Sequence, residues 1–171
     1  MSDTDKAIQF FQEGMSEFLG HNYGKSIELL SHTIELDPNH KLARLSRGAA
    51  NLKLDNVADA RVDFNRVIDL DPEYPRAYHL RGLAHEKSGD TDAALDDFNQ
   101  AIDLDPEYGA AYYSRANLFS KMGDQDLAAD DIEMATHLTE VNIETFANQN
   151  NIWRSHHLKV EDMGAADPMD R

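Results

Sequence analysis

Histidine side chains are the first candidates for chemistry in this sequence, because they can bind a metal ion or transfer a proton. His156 and His157 are adjacent, so on a helix they would point about 100° apart. His79 and His85 stand six residues apart, and they also fail to share one helical face. Neither pair therefore predicts a metal centre.

Other catalytic signatures are also missing from the sequence. Glu17 and His21 have the i, i+4 spacing of two ligands, but His21 falls in a predicted turn and no third ligand lies nearby in sequence. There is no phosphate-binding Gly-rich loop, no His-Glu-x-x-His motif and no nucleophile elbow. The chain has no cysteine, which excludes disulfides and thiolate metal sites. We expect a protein that is not an enzyme and uses no cofactor and no metal.

A charged pair recurs at a fixed spacing. An arginine is followed sixteen residues later by an aspartate in three places, which are Arg47 with Asp63, Arg81 with Asp97 and Arg115 with Asp131. The equivalent earlier place has Glu13 and Leu29, so the two charges appear and disappear together. This pattern predicts a structural ion pair between two helices, with the arginine stem packed on apolar neighbours. The alternative is a row of ligand-binding arginines, which requires the aspartates to lie too far away to neutralise them.

The elements that must position these pairs follow from a 34-residue period. Pro38, Pro72 and Pro106 stand 34 residues apart, each within Leu-Asp-Pro. The period divides the chain into four units, which are residues 7–40, 41–74, 75–108 and 109–142. A period of this length is typical of a repeat array.

Each unit combines small residues with one bulky residue at fixed positions. Positions 8, 20 and 27 are small or slender, whereas position 24 is Leu30, Phe64, Phe98 or Ile132. The small residues let two helix backbones approach and the bulky one fills the gap between them, which predicts an antiparallel helix pair. In unit 3, Gly89 marks the turn between helices at about 76–88 and 91–104.

This pattern resembles that of the tetratricopeptide repeat (TPR) family, which has an aromatic residue at position 4, Gly or Ala at 8, Ala at 20, a large apolar residue at 24, Ala at 27 and Pro at 32. Unit 3 matches the family at all six positions, through Tyr78, Gly82, Ala94, Phe98, Ala101 and Pro106. The resemblance covers residues 7 to about 142. It implies an all-α fold, a right-handed α-solenoid of four antiparallel helix pairs. Two positions depart from the family pattern. Arg44 replaces the aromatic residue of unit 2, and Glu140 replaces the proline of unit 4, so the last helix could run on.

The resemblance also predicts how the chain is organised after the repeats. We expect residues 1–142 to form the TPR domain, residues 143–163 a C-terminal capping helix and residues 164–171 a flexible tail. Ile143, Phe146 and Trp153 give the capping segment its helical pattern. The alternatives are a tail that folds into its own groove and a tail that enters the groove of a second copy, which would make a homo-oligomer.

Charge and hydropathy narrow the class of partner. The net charge of -16 argues against nucleic acid and anionic membranes, since both bind basic surfaces, and it makes cationic partners more plausible. No apolar run approaches the ~20 residues of a membrane span, so membrane insertion is not expected. The first residues lack the charge and hydropathy pattern of a signal peptide. These observations predict a cytoplasmic protein.

In this family the first helices line a concave groove through positions 2, 5, 6, 9, 12 and 13. Units 1 and 2 present mostly apolar residues there, and units 3 and 4 present polar and mildly basic ones. We expect a protein-interaction adaptor that binds a peptide or amphipathic helix, or alternatively a self-assembly module that uses groove and tail contacts. The predicted groove contacts are Ile8, Phe11, Met15, Leu42, Leu45, Ala49, Arg76, His79, Leu83, Lys87, Tyr113 and Asn117.

Some family members bind the acidic C-terminal tails of heat-shock chaperones through lysine, asparagine and arginine at set groove positions. The positions are 5 and 9 of one unit, 6 of the next, and 2 and 6 of the third. Counting from unit 1, this chain has Phe11, Met15, Ser46, Arg76 and Leu80 there, and only Arg76 has a side chain that could bind a carboxylate in the same way. The resemblance therefore does not extend to that mode of binding.

Overall fold

The fold is a stack of helix hairpins. A computed structural model describes residues 2–149, with side chains over residues 2–142. This range forms eight helices, which are α1 (Asp3–Leu19), α2 (Tyr23–Leu36), α3 (Lys41–Lys53), α4 (Val57–Leu70), α5 (Pro75–Lys87), α6 (Thr91–Leu104), α7 (Gly109–Met122) and α8 (Gln125–Gln149). Each unit supplies one hairpin, so the predicted all-α solenoid of four helix pairs is confirmed.

The contacts between helices define the two sides of the stack. Each second helix packs against the first helix of the next pair, as α2 does against α3. The first helices also approach one another, in the order α1, α3, α5 and α7, whereas no second helix within residues 2–149 approaches another second helix. The first helices therefore lie on the inner, concave side and the second helices on the outer side.

A residue with left-handed backbone geometry turns the chain at position 15 of every unit. Gly89 and Gly123 have φ angles of 79° and 96°, and His21 and Asp55 take the same place at 62° and 63°. Glycine adopts this geometry without steric cost, whereas other residues lose about 1–2 kcal/mol. The turn predicted at Gly89 is confirmed, and units 1 and 2 form it without glycine.

Glycine at position 8 is required by the aromatic ring at position 24. Phe64 and Phe98 are fully buried. A Cβ atom on Gly48 would lie 2.5 Å from Cε1 of Phe64, and one on Gly82 would lie 2.6 Å from Cε1 of Phe98. In units 2 and 3 the two helices can approach this closely only because the residue at position 8 has no side chain.

The predicted ion pair is present in all three units. In unit 3, Nε and Nη2 of Arg81 donate to the two carboxylate oxygens of Asp97 at 2.9 and 2.7 Å. Arg47 with Asp63 and Arg115 with Asp131 repeat this two-point geometry. The aspartate side chains are almost fully buried. The alternative of a ligand-binding row of arginines is therefore wrong.

The remaining arginine nitrogen reaches the preceding unit, which the sequence pattern does not reveal. In each case Nη1 donates to a side chain at position 25, on the outer helix of the previous pair. The three bonds run from Arg47 to Ser31 at 3.0 Å, from Arg81 to Asn65 at 2.9 Å and from Arg115 to Asn99 at 2.6 Å. Each arginine thus connects three helices, and we call this series of contacts the arginine seam.

Arg44 keeps the hydrogen bond of the aromatic residue that it replaces. Tyr78 Oη donates to the carbonyl oxygen of Pro72 at 3.1 Å. Nε and Nη2 of Arg44 donate to the carbonyl oxygen of Pro38 at 3.1 and 2.9 Å. Both acceptors occupy position 32 of the preceding unit, so arginine preserves the link between units 1 and 2.

The last helix continues beyond its unit. α8 runs without a break from Gln125 to Gln149, as the absence of proline at Glu140 allows. No helix ends at the predicted boundary between residues 142 and 143. The rest of the predicted capping helix, residues 150–163, and the predicted tail, residues 164–171, lie outside the described residues. None of the helices within residues 2–149 has the length and hydropathy needed to cross a membrane.

The arginine seam predicts a large difference between two adjacent aspartates of α6. Asp97→Asn removes the charge that faces Arg81, so we expect the free energy of unfolding to fall by about 3 kcal/mol. Asp96→Asn changes the exposed neighbour, and we expect a change within about 0.5 kcal/mol. Urea denaturation of both variants and the parent chain measures this difference. Equal effects of the two substitutions would contradict a stabilising seam.

Candidate functional site

Two adjoining cavities run along the concave side. The first, which we call the apolar cavity, has a volume of about 260 Å³ and is lined by Phe11, Met15, Phe18, Leu42, Leu45, Ser46, Ala49, Arg76 and Leu80. The second, which we call the lysine cavity, has a volume of about 550 Å³ and is lined by Ala49, Leu52, Lys53, Leu80, Leu83, Glu86, Lys87 and Lys121. Ala49 and Leu80 belong to both linings. The two cavities therefore form one groove along the first helices.

Most of the predicted contact residues lie in this groove. The structure places Phe11, Met15, Leu42, Leu45, Ala49, Arg76, Leu83 and Lys87 in its lining. Leu42 is 48% exposed, whereas Leu45 is only 3% exposed. Leu42 can therefore contact a bound molecule with much of its side chain, and Leu45 contributes mainly to the floor.

Three predicted contacts lie outside the two cavities. Ile8 and Asn117 are exposed on α1 and α7 but do not belong to either lining. Tyr113 lines a different cavity of about 510 Å³ at the end of the stack, where Ile132 and Thr136 of α8 also lie. These three residues occupy groove positions of the first helices, but they do not line the two cavities that contain the other predicted contacts.

His79 requires a correction. It was predicted as a polar groove contact, but its side chain is 8% exposed between α5 and α7. Its Nδ1 lies 3.0 Å from Oη of Tyr108, and its Nε2 lies 2.9 Å from Oγ of Ser114. Its ring also packs edge-to-face on Tyr108 and lies 5.8 Å, centroid to centroid, from that of Phe98. Both ring nitrogens therefore have partners inside the protein, and the bond to Ser114 joins unit 3 to unit 4.

The predicted contact set omits several residues that line the groove. They occupy positions 6, 12 and 13 of their units, which belong to the family's groove positions, so the period itself identifies them. The omitted residues are Phe18, Ser46, Leu52, Lys53, Leu80, Glu86 and Lys121.

The lysines at position 13 form a row along the lysine cavity. Nζ of Lys87 lies 2.6 Å from Oδ1 of Asp55 and donates to the carbonyl oxygen of Leu52 at 3.1 Å. Nζ of Lys121 donates to Oε1 of Glu86 at 2.6 Å. Each of these lysines thus reaches back to the preceding unit, so two of the three charges in the row are balanced by carboxylates.

Comparison with known protein families identifies the repeat. Models described as tetratricopeptide repeat match residues 11–75 and 75–108, together more than half of the chain. The chain belongs to the tetratricopeptide repeat family. The TPR matches cover α2 to α6 and more than half of α1.

Curated relatives of this TPR chain share a short segment with it. The small glutamine-rich tetratricopeptide repeat-containing protein beta of Rattus norvegicus is 36% identical over 58 residues, which cover 34% of this chain and 19% of that protein. The Homo sapiens protein of the same name is 36% identical over 61 residues, which cover 36% of this chain and 20% of that protein. The match spans about a fifth of these relatives.

Solved TPR structures have the same fold. MamA from Desulfovibrio magneticus RS-1 superposes with a TM-score of 0.70 at 24% identity, covering 79% of this chain and 76% of that one. The first TPR of Spaghetti, bound to the HSP90 peptide SRMEEVD, superposes with a TM-score of 0.66 at 23% identity, covering 70% of this chain and 94% of that one. At these identities the likeness establishes the fold alone.

The burial of His79 predicts a loss of stability in acid. Desolvation, assisted by the charge of Arg76, lowers the pKa of His79 to about 4 from 6.5. The unfolded chain therefore binds more protons than the folded chain as the pH falls from about 6.5 to 4, and the His79 contribution to stability decreases over that range. The full effect corresponds to about 3 kcal/mol.

The measurement compares the pH dependence of unfolding in His79→Gln with that of the parent chain. We expect the glutamine variant to lose less stability between pH 7 and pH 4, because it has no imidazole to protonate. His137→Gln replaces an exposed histidine of α8 and should keep the parent slope. Identical slopes for all three proteins would contradict the buried, neutral state of His79.

Proposed function

We propose that this protein is a non-catalytic scaffold that binds a segment of a partner protein in its groove. The observation that carries the proposal is the continuous groove, in which apolar side chains such as Leu42 and Leu83 lie next to lysines. Burying apolar surface stabilises a complex by about 25 cal/mol per Å², and the polar groups can fix the register of the bound segment.

The groove has the composition expected of a peptide site. Phe11, Met15 and Phe18 provide large side chains that are only partly covered by the rest of the chain. Methionine adapts its shape to irregular apolar surfaces, and aromatic side chains bury a large apolar area. A similar fold holds a bound peptide in the Spaghetti complex, which supports this mode of binding without identifying the partner.

A second copy of this chain is the alternative partner. At the end of the stack, Tyr113 is 59% exposed and Ile132 is 50% exposed beside the cavity of α7 and α8. Repeat arrays grow by stacking apolar faces of this kind, so this surface favours self-assembly. Light scattering across a range of concentrations distinguishes the two functions, since self-assembly requires the mass to rise with concentration.

A charge placed in the groove tests the proposal. Leu42→Glu puts a carboxylate into the apolar cavity, and we expect loss of the partner because a hydrated charge replaces the apolar side chain that the partner would bury. Val62→Glu is the matched control, since Val62 is 64% exposed on the outer helix α4. The measurement is recovery of proteins from source-cell extract by each variant, after circular dichroism has shown that both are folded.

The pattern of recovery decides the outcome. A protein held by the parent chain and by Val62→Glu, but lost with Leu42→Glu, would support groove binding. The same set of proteins on all three chains would contradict it. Recovery of this chain alone would instead favour the self-assembly module.

A further inference from the structure

We propose that the groove recognises an acidic amphipathic segment, with a large apolar side chain in the apolar cavity and carboxylates facing Arg76 and Lys53. This inference rests on the proposed function and specifies the chemistry of the partner. The apolar end of the segment would lie over units 1 and 2, and its acidic part would extend along the lysine cavity.

The charge of the groove is opposite to that of the whole chain. The protein has a net charge of -16, yet three of its seven lysines, Lys53, Lys87 and Lys121, line a single cavity. Only one carboxylate, that of Glu86, belongs to the same lining. Cations gathered in a concave surface create a local positive potential that attracts an anionic ligand.

Lys53 differs from the other two lysines of the row. Lys87 and Lys121 reach carboxylates at positions 15 and 12 of the preceding unit. The same positions before Lys53 hold His21 and Phe18, which carry no negative charge. Among residues 2–142, the Lys53 ammonium group forms no salt bridge and remains exposed in the cavity lining.

Arg76 provides the second cation. It is exposed in the lining of the apolar cavity, and it forms no salt bridge within the side chains that the structure describes. Leu80 and Ala49 lie in both linings, so they connect the part of the groove that contains Arg76 with the part that contains Lys53. A single bound segment can therefore contact both cations and the apolar cavity between α1 and α3.

A basic segment is disfavoured in the groove even though the protein is acidic overall. It would bring like charges next to Arg76 and Lys53, and repulsion between them is strong where the ligand displaces water. The carboxylates that give the chain its net charge lie mainly elsewhere, for example Asp59, Asp96 and Asp130 on the outer helices. The outer face suits cations, whereas the groove suits anions.

Selection from a random peptide library tests which ligand chemistry the groove prefers. A phage library of twelve-residue peptides is selected on the intact chain, and clones that also bind Leu42→Glu are removed. We expect the remaining peptides to combine a large apolar residue with two or more Asp or Glu residues. Fluorescence anisotropy of the synthesised peptides then gives their dissociation constants.

Charge reversal identifies the cations that recognise the peptide. Replacing both residues, in Lys53→Glu with Arg76→Glu, should weaken binding about tenfold or more. Arg61→Glu with Arg66→Glu makes the same charge change on α4, outside the groove linings, and should have little effect. A peptide in which the acidic residues are replaced by lysine should bind the double variant more tightly than the parent chain.

The outcomes separate this inference from the proposed function. Groove-dependent peptides that are neutral or basic, or acidic peptides insensitive to the double substitution, would overturn the inference and leave groove binding intact. Failure to obtain any peptide that distinguishes the parent chain from Leu42→Glu would count against groove binding itself, and with it against the inference.

Discussion

The shape of the groove depends on the arginine seam, because the seam fixes each helix pair against the one before it. A helix pair of this length cannot bury its apolar face alone and is stabilised by stacking. The planar guanidinium group of Arg81 bonds to Asp97 in its own unit and to Asn65 in the preceding unit, so it sets the spacing of three helices at once. Unit 1 has no arginine, and there Ser26 Oγ donates to the buried carbonyl oxygen of Gly14 at 2.8 Å.

Regular stacking gives the protein its binding surface. Because successive units superpose, side chains 34 residues apart come to lie next to one another along the concave side. The row of position-13 lysines arises in this way, and so does the continuity of the apolar and lysine cavities through Ala49 and Leu80. Substitution of one groove residue per unit can therefore change which ligand the groove binds, without disturbing the arginine seam that holds the helices together. This separation between structural and binding positions explains why one fold can accept different partners.

The sequence predicted the contacts that recur at fixed offsets within a unit. It did not predict contacts that depend on how one helix pair is oriented against the next. The close approach of Gly82 to Phe98 and the pairing of Arg81 with Asp97 arise within one unit, so fixed offsets reveal them. His79 occupies a groove position by its number, but it is buried because Tyr108, the last residue of its own unit, and Ser114 of the next hairpin contact its two ring nitrogens. No offset within a unit indicates the contact with Ser114.

Site-specific photo-crosslinking is the most direct test of the claim that the concave side binds the partner. A benzoyl-phenylalanine residue replaces Leu42 in the groove in one protein and Val62 on the outer helix α4 in another. Both parent side chains are substantially exposed, so the two probes have similar access to solvent. We expect the partner captured by the scaffold to form a covalent adduct with the probe at position 42 and not with the probe at position 62. An adduct formed only at position 62 would contradict it.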